Sequence, residues 1–173
     1  MTDQETRYLL DTSIISEFAK DSCKQHAGLR NWLNLVPDCA LYVPYGAALE
    51  IQRGIFRLRH TNPLKADSLD LWFDDLRTRI PFIPMTLEAS RIHAEMTSER
   101  ALTHLWINDP RKKRPRPSQA LAIAATAITS GSCLVTRNVS AFELIDRYFP
   151  LPGLINPIDS DPEALSPAPV THH

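Results

Sequence analysis

The chain has 173 residues, of which 43% are hydrophobic and 23% are charged, and its formal net charge is -1. This length fits one globular domain, and the composition excludes a disordered or fibrous protein. Because the chain is not basic overall, any contact with nucleic acid must come from a local patch. The sequence lacks the run of about 20 apolar residues that spans a membrane. Its polar N-terminus does not resemble a secretory signal, so a cytoplasmic protein is expected.

The first predicted element is a buried strand at residues 8–10, which ends at Asp11. Thr12 and Ser13 are predicted to cap a short helix that runs through Phe18. The remaining predicted elements follow in chain order: a helix around residues 29–36, a strand at 40–43, helices at 47–59 and 69–80, a strand at 82–83, a helix capped by Thr86, a helix at 119–129 capped by Ser118, a strand at 133–136 and an edge strand at 154–155.

Alternating strands and helices predict an α/β fold with a parallel sheet that is covered on both faces. Functional sites in such folds form at the carboxyl ends of strands, where Asp11 and Thr136 are expected. We predict one domain over residues 1–158 and a disordered, Pro-rich tail over residues 159–173. His172 and His173 are either native or the remnant of a tag, so they carry no argument about metals.

Four polar residues are candidates for chemistry at this edge. Asp11 is either a cap-like group at a helix start or a metal ligand. Glu50, on the helix after the second strand, is either an ordinary acid beside the core or a second ligand. Thr136 and Asn138 could bind a metal-bound water or a phosphate oxygen, or could serve only to end the strand and form a turn. The three cysteines, Cys23, Cys39 and Cys133, have no metal-binding spacing and are read as reduced thiols.

Four segments in this order resemble the motifs of VapC-type PIN-domain toxins. They are residues 8–17 (YLLDTSIISE), 49–55 (LEIQRGI), 118–127 (SQALAIAATA) and 134–142 (LVTRNVSAF). The resemblance implies a three-layer α/β/α domain with a central, mostly parallel sheet. It also implies a Mg²⁺-dependent endoribonuclease, with Mn²⁺ as a possible substitute, that acts on RNA as the toxin of a toxin–antitoxin pair. Such proteins typically form homodimers, and an antitoxin covers the active cleft. The apolar helices between residues 47 and 80 would supply those contacts.

The acidic pattern of the family carries over only in part. Asp11 and Glu50 match two of the metal-binding, catalytic acids, but Ala120 and Ala141 stand where the third and fourth segments usually carry aspartate. Mg²⁺ prefers oxygen ligands, so the loss of two carboxylates predicts weak metal binding and an impaired enzyme. One hypothesis is a deliberately inactivated toxin, because a working nuclease would poison its expression host. The alternative is a naturally degenerate PIN module that binds RNA or a protein partner without cutting.

Two further interpretations remain at this stage. The dense basic segment Arg111, Lys112, Lys113, Arg114 and Arg116 either binds RNA phosphates or forms a solvated loop. A receiver-like domain with Asp11 as phosphoacceptor would require an acidic pair near the first strand and a lysine at a late strand end. The sequence has Arg137 at that strand end and no such pair before Asp11, so it argues against this class.

Overall fold

A computed structural model of the chain describes residues 6–106 and 118–158. The predicted RNA-binding residues Arg111, Lys112, Lys113, Arg114 and Arg116 lie outside the described residues, and so does the predicted tail at residues 159–173. The secondary structure is, in chain order, β1 (Tyr8–Leu10), α1 (Thr12–Phe18), α2 (Ala27–Leu33), β2 (Leu41–Pro44), α3 (Tyr45–Arg59), α4 (Pro63–Arg79), β3 (Phe82–Ile83), α5 (Leu87–Ser98), α6 (Gln119–Ser130), β4 (Cys133–Val135), α7 (Val139–Asp146) and β5 (Leu154–Ile155). Short 3₁₀ helices at Asp38–Ala40 and Arg100–Leu105 complete the described elements.

The five strands form one sheet in the order β3-β2-β1-β4-β5, and every pairing is parallel. The predicted α/β class is therefore confirmed, with helices flanking the sheet. The chain proceeds from β1 toward β2 and β3 on one side, and then adds β4 and β5 on the other. The strand order thus reverses between β1 and β4, and the crevice outside the carboxyl ends of two such strands is where α/β proteins bind ligands.

The core lies between the sheet and the helices. Leu9, Leu10 and Leu134 in the strands are fully buried, and α6 buries every residue from Leu121 to Ala127. The run of small and branched apolar residues explains this depth, because alanine favours helix and allows close approach of neighbouring elements. Gly131 ends α6 with a φ of 62°, a left-handed conformation that glycine adopts without strain. No helix within the described ranges is long and apolar enough to cross a membrane.

Several predicted boundaries were wrong in instructive ways. The strand predicted at residues 40–43 lies one position later, because Pro44 is the last residue of β2 and α3 begins directly after it. The predicted capping role of Thr12 and Ser13 was also wrong, since both residues lie inside α1 and Asp11 occupies the cap position. The caps predicted at Thr86 and Ser118 are confirmed by hydrogen bonds to the amides of Ala89 and Ala120.

Candidate functional site

Asp11 follows the central strand β1 and is only 7% exposed. Its Oδ2 atom accepts hydrogen bonds from the hydroxyls of Ser13 and Thr136, both at 2.7 Å. Thr136 follows β4, so its bond to Asp11 spans the point where the strand order reverses. Within the described part of the chain, Oδ1 of Asp11 accepts no hydrogen bond and remains available for a ligand. A buried carboxylate fixed on one oxygen and free on the other is suited to binding a cation or a donor group.

Glu50 lies beside this carboxylate, although 39 positions separate the two residues in sequence. The hydroxyl of Thr12, the neighbour of Asp11, donates to Oε2 of Glu50 at 2.6 Å. Glu50 is on the second turn of α3, which begins at the end of β2, the strand next to β1. The structure therefore brings Asp11 and Glu50 to the same edge of the sheet, as the sequence analysis expected.

The turn after β4 is tied to the same cluster. Thr136 Oγ1 accepts from the amide of Asn138 at 2.9 Å, and Ser13 Oγ accepts from the amide of Arg137 at 3.2 Å. Thr136 is fully buried, and its hydroxyl both donates to Asp11 and accepts from the amide of Asn138 in the turn. Asn138 occupies the cap position of α7, but its side chain makes no capping bond there. The geometry thus supports the interpretation that Thr136 forms part of the turn. The proposed contact of Thr136 or Asn138 with a metal-bound water stays a prediction.

An ion pair between the buried Glu17 and the half-exposed Arg137, which the sequence analysis did not single out, links α1 to the turn after β4. The side chain of Glu17 is 4% exposed, and its Oε1 atom binds the guanidinium of Arg137 at 2.9 Å. A hydrogen bond from Lys20, together with the charge of Arg137, lowers the pKa of Glu17 although burial opposes the shift. The available signal was spacing: Glu17 follows Ile14 by three positions, so an acid stands on the inward face of α1.

Ala120 and Ala141, where the motifs lead us to expect aspartate, occupy helices that adjoin this edge. Ala120 is in the first turn of α6 and is partly buried. A Cβ atom added to Gly46, in the first turn of α3, would lie 3.2 Å from the carbonyl oxygen of Gln119. The start of α6 therefore packs closely against the start of α3, the helix that carries Glu50. Ala141 is 9% exposed on α7, three positions after Asn138.

The described residues do not form a complete metal centre. Across residues 6–106 and 118–158, no three His, Cys, Asp or Glu side chains lie close enough together to hold a metal ion. Asp11 and Glu50 are two oxygen donors, and the neighbouring groups are hydroxyls already engaged with them. Mg²⁺ and Mn²⁺ sites of proteins need further ligands from carboxylates, water or substrate. The side chains present thus fit at most a weakly held cation.

Comparisons with known proteins agree with this fold. No protein-family model matches the chain. The protein named ribonuclease VapC14, from Mycobacterium tuberculosis, is 30% identical over 73 residues, which cover 42% of this chain and 69% of that protein. Among solved structures, the VapBC2 complex of Rickettsia felis matches with a TM-score of 0.63 at 22% identity, covering 87% of this chain and 98% of the other. FitAcB from Neisseria gonorrhoeae matches with a TM-score of 0.60 at 21% identity, covering 88% and 99%.

The structural matches are below 25% identity and establish the shared fold. The five-stranded, all-parallel sheet flanked by helices is the fold of VapC-type PIN domains. The match to VapC14, which covers more than two thirds of that protein, identifies the family within the PIN-type domains. The chain belongs to the VapC family.

Proposed function

We propose that this chain is the ribonuclease-type toxin of a toxin–antitoxin pair, and that its nuclease centre is disabled by alanine at positions 120 and 141. The observation that carries the proposal is the paired placement of Asp11 and Glu50 by Thr136, Ser13 and Thr12 at the reversal of strand order. This hydrogen bonding fixes the orientation of both acids. It is what a site needs when it must hold carboxylates ready for a ligand.

The donor set explains why the chain should be a poor enzyme. A bound Mg²⁺ would polarise a phosphate oxygen and generate hydroxide from water. Two carboxylates, one oxygen of each already accepting a hydrogen bond, are too few to retain that ion without additional ligands. Aspartates at positions 120 and 141 would raise the number of carboxylates from two to four. We therefore expect Asp11 and Glu50 in this chain to keep their orientation but to bind Mg²⁺ or Mn²⁺ feebly.

The proposed partners follow from the family. Solved relatives in the VapBC and FitAcB complexes pair with a second protein, which supports an antitoxin as the partner here. An arginine of that antitoxin would suit the site, because its guanidinium can form two charge-assisted bonds with one carboxylate. The toxin role also implies action on RNA in the cytoplasm and, by analogy with the family, a homodimer.

The deciding experiment restores the acids. The double variant Ala120→Asp, Ala141→Asp should bind Mn²⁺ at least about tenfold more tightly by titration calorimetry, because the number of carboxylate ligands doubles. It should also cleave RNA and become toxic when expressed. The triple variant that adds Asp11→Asn is the matched control, since it keeps both new acids but loses the carboxylate at the end of β1.

Each outcome has a defined meaning. Equal Mn²⁺ affinity of the double variant and the unaltered chain would show that positions 120 and 141 lie outside the site, and the proposal would fail. Tight Mn²⁺ binding without RNA cleavage would favour the alternative, a naturally degenerate PIN module that binds RNA or protein. Cleavage that survives in the triple variant would indicate a contaminating nuclease.

A further inference from the structure

A groove on the outer side of α3 has the composition of a nucleic-acid surface. The groove has a volume of about 300 Å³, and its lining residues come from α3 and from His60, which follows the end of that helix. They are Leu49, Gln52, Arg53, Phe56, Arg57 and His60. The set combines three groups that can carry positive charge with one aromatic ring and contains no acid. Proteins that bind single-stranded nucleic acid combine cationic groups along the backbone with aromatic rings on which bases stack.

Two arginines in this groove lack a charged partner within the described part of the chain. Arg53 and Arg57 form no ion pair or hydrogen bond among the described residues, whereas Arg59 on the same helix binds both Asp67 and Asp70. Arginines one helical turn apart have Cβ atoms about 6 Å from one another, so the two guanidinium groups can reach neighbouring phosphates of one strand. Two cations with no partner in residues 6–106 and 118–158 favour a polyanion over an apolar helix as the occupant.

Phe56 is the aromatic residue of the groove, and contacts with its neighbours fix its ring. Its ring is 56% exposed, although a large apolar side chain in water gains nothing from this position. The guanidinium of Arg59 lies 5.6 Å from the ring centroid, and the bonds of Arg59 to Asp67 and Asp70 fix it there. Gln52 also binds Asp70, at 3.3 Å, which anchors the groove to α4. One face of the ring is thus covered by a cation, and the exposed remainder can stack on a base.

Helix geometry places the groove next to Glu50 of the candidate site. Arg53 and Arg57 follow Glu50 by three and seven positions, which places them on nearly the same side of α3. At 1.5 Å per residue, Arg57 is about 10 Å along the helix axis from Glu50. A strand that lies across Phe56 with phosphates at Arg53 and Arg57 would therefore reach the carboxylates. We propose that this groove binds single-stranded RNA and directs it to Asp11 and Glu50, an inference that rests on the proposed function.

The missing acids make the inference directly testable, because binding can be measured without cleavage. A fluorescein-labelled single-stranded RNA of mixed sequence is titrated with the full chain in EDTA, and polarisation is recorded at several salt concentrations. The double variant Arg53→Gln, Arg57→Gln should bind about 10-fold to 100-fold more weakly at low salt. The slope of log affinity against log salt should fall by about 1.4, because each phosphate contact on a single strand contributes about 0.7.

The aromatic ring is tested by two substitutions that differ in stacking. Phe56→Leu should weaken RNA binding about 5-fold to 100-fold, the range that loss of one stacked base produces, whereas Phe56→Tyr should bind normally. A matched control replaces two exposed cations on other helices, Lys65→Gln and Arg91→Gln, and should leave both affinity and salt slope unchanged. Circular dichroism and urea unfolding verify that every variant is folded.

The inference is overturned if the unaltered chain does not bind RNA, or if the groove variants bind it like the control. It is also overturned if the groove variants alter self-association or antitoxin binding while RNA affinity stays constant, since the groove would then be a protein interface. The same substitutions in the Ala120→Asp, Ala141→Asp background separate this inference from the proposed function. If these substitutions do not affect RNA cleavage, the proposed role of the groove is wrong but the proposed ribonuclease function is not. If the chain with restored acids binds RNA without cleaving it, the proposed ribonuclease function is wrong but the role of the groove is not.

Discussion

The two halves of the candidate site are held by different forces. The strand-end half, Asp11 and Glu50 with the hydroxyls of Thr12, Ser13 and Thr136, is fixed by hydrogen bonds between polar side chains. The helix half, Ala120 on α6 and Ala141 on α7, is fixed by apolar packing. The difference teaches that this fold does not need four acids in order to form. Carboxylates at positions 120 and 141 would add charge to a region that apolar packing already stabilises.

The largest expected effect comes from placing acids in the helix half. Without metal, the Ala120→Asp, Ala141→Asp variant should lose about 2–4 kcal/mol of unfolding free energy, because like charges would meet where burial is high. The measurement is urea unfolding in EDTA. Added Mn²⁺ should restore about 2.7 kcal/mol when its concentration is about 100 times the Kd.

The control for this effect is Ala94→Asp, at an exposed position of α5. It should change the unfolding free energy by no more than about 0.5 kcal/mol, and Mn²⁺ should not affect it. If Ala94→Asp were as destabilising as the double variant, the loss of stability would reflect the low helix propensity of aspartate rather than charge at the site.

The next effect divides the strand-end half itself. Thr136→Val should cost about 2 kcal/mol, because it leaves a buried carboxylate and the amide of Asn138 without their shared hydroxyl. Thr12→Val removes a single bond to the partly exposed Glu50 and should cost about 0.5–1 kcal/mol. Both values come from thermal or urea unfolding at neutral pH. Equal costs would mean that Thr136 is no more important to the site than Thr12.

A smaller effect is expected at Glu17, beneath the turn. Glu17→Gln should cost about 1 kcal/mol at neutral pH through weaker bonds to Lys20 and Arg137. The exposed pair of Asp21 and Lys24 provides the control, since Asp21→Asn should cost less than about 0.5 kcal/mol.

The pH dependence of the Glu17 effect has a defined sign. A hydrogen bond from Lys20 and the charge of Arg137 lower the pKa of Glu17 from 4.5. The stabilisation by the carboxylate is therefore complete above about pH 4.5 and is lost as the pH falls through the lowered pKa. The difference between Glu17→Gln and the unaltered chain should shrink in that range. A difference that stays constant down to pH 3 would contradict an electrostatic role.

The smallest effect concerns α5, which packs against α6 in the helix half. Burial lowers the pKa of His93 from 6.5, and its Nε2 atom is buried without a hydrogen-bond partner in the described structure. The unfolded chain then binds a proton before the folded one does, so stability should fall as the pH drops below 6.5 toward the lowered pKa. His93→Phe should flatten that slope, and His104→Gln, at an exposed position, should not.

The sequence alone determined the class of fold and the order of its elements, except for α7 (Val139–Asp146), which was not predicted. Short apolar runs ending at Asp11, Pro44 and Thr136 and periodic helices between them are local signals, and each strand lies where they predicted it. The motifs around Asp11 and Glu50 also predicted that these residues lie together, because parallel strands bring their carboxyl ends to one edge. Helix starts were less accurate, since a polar residue near a helix start can cap the helix or bind elsewhere.

Only the tertiary structure decided which partner each polar group takes. Thr12 has the chemistry of a helix cap, yet its hydroxyl donates to Glu50, because packing of β1 beside β2 brings the start of α3 within reach. The pairing of Glu17 with Arg137 joins residues 120 positions apart. Arg59 has ion-pair partners in the described structure whereas Arg53 and Arg57 do not, and this difference depends on how α4 lies against α3. Hydrogen bonds and ion pairs act over a few ångströms, so distances in space, which the sequence does not contain, determined these contacts.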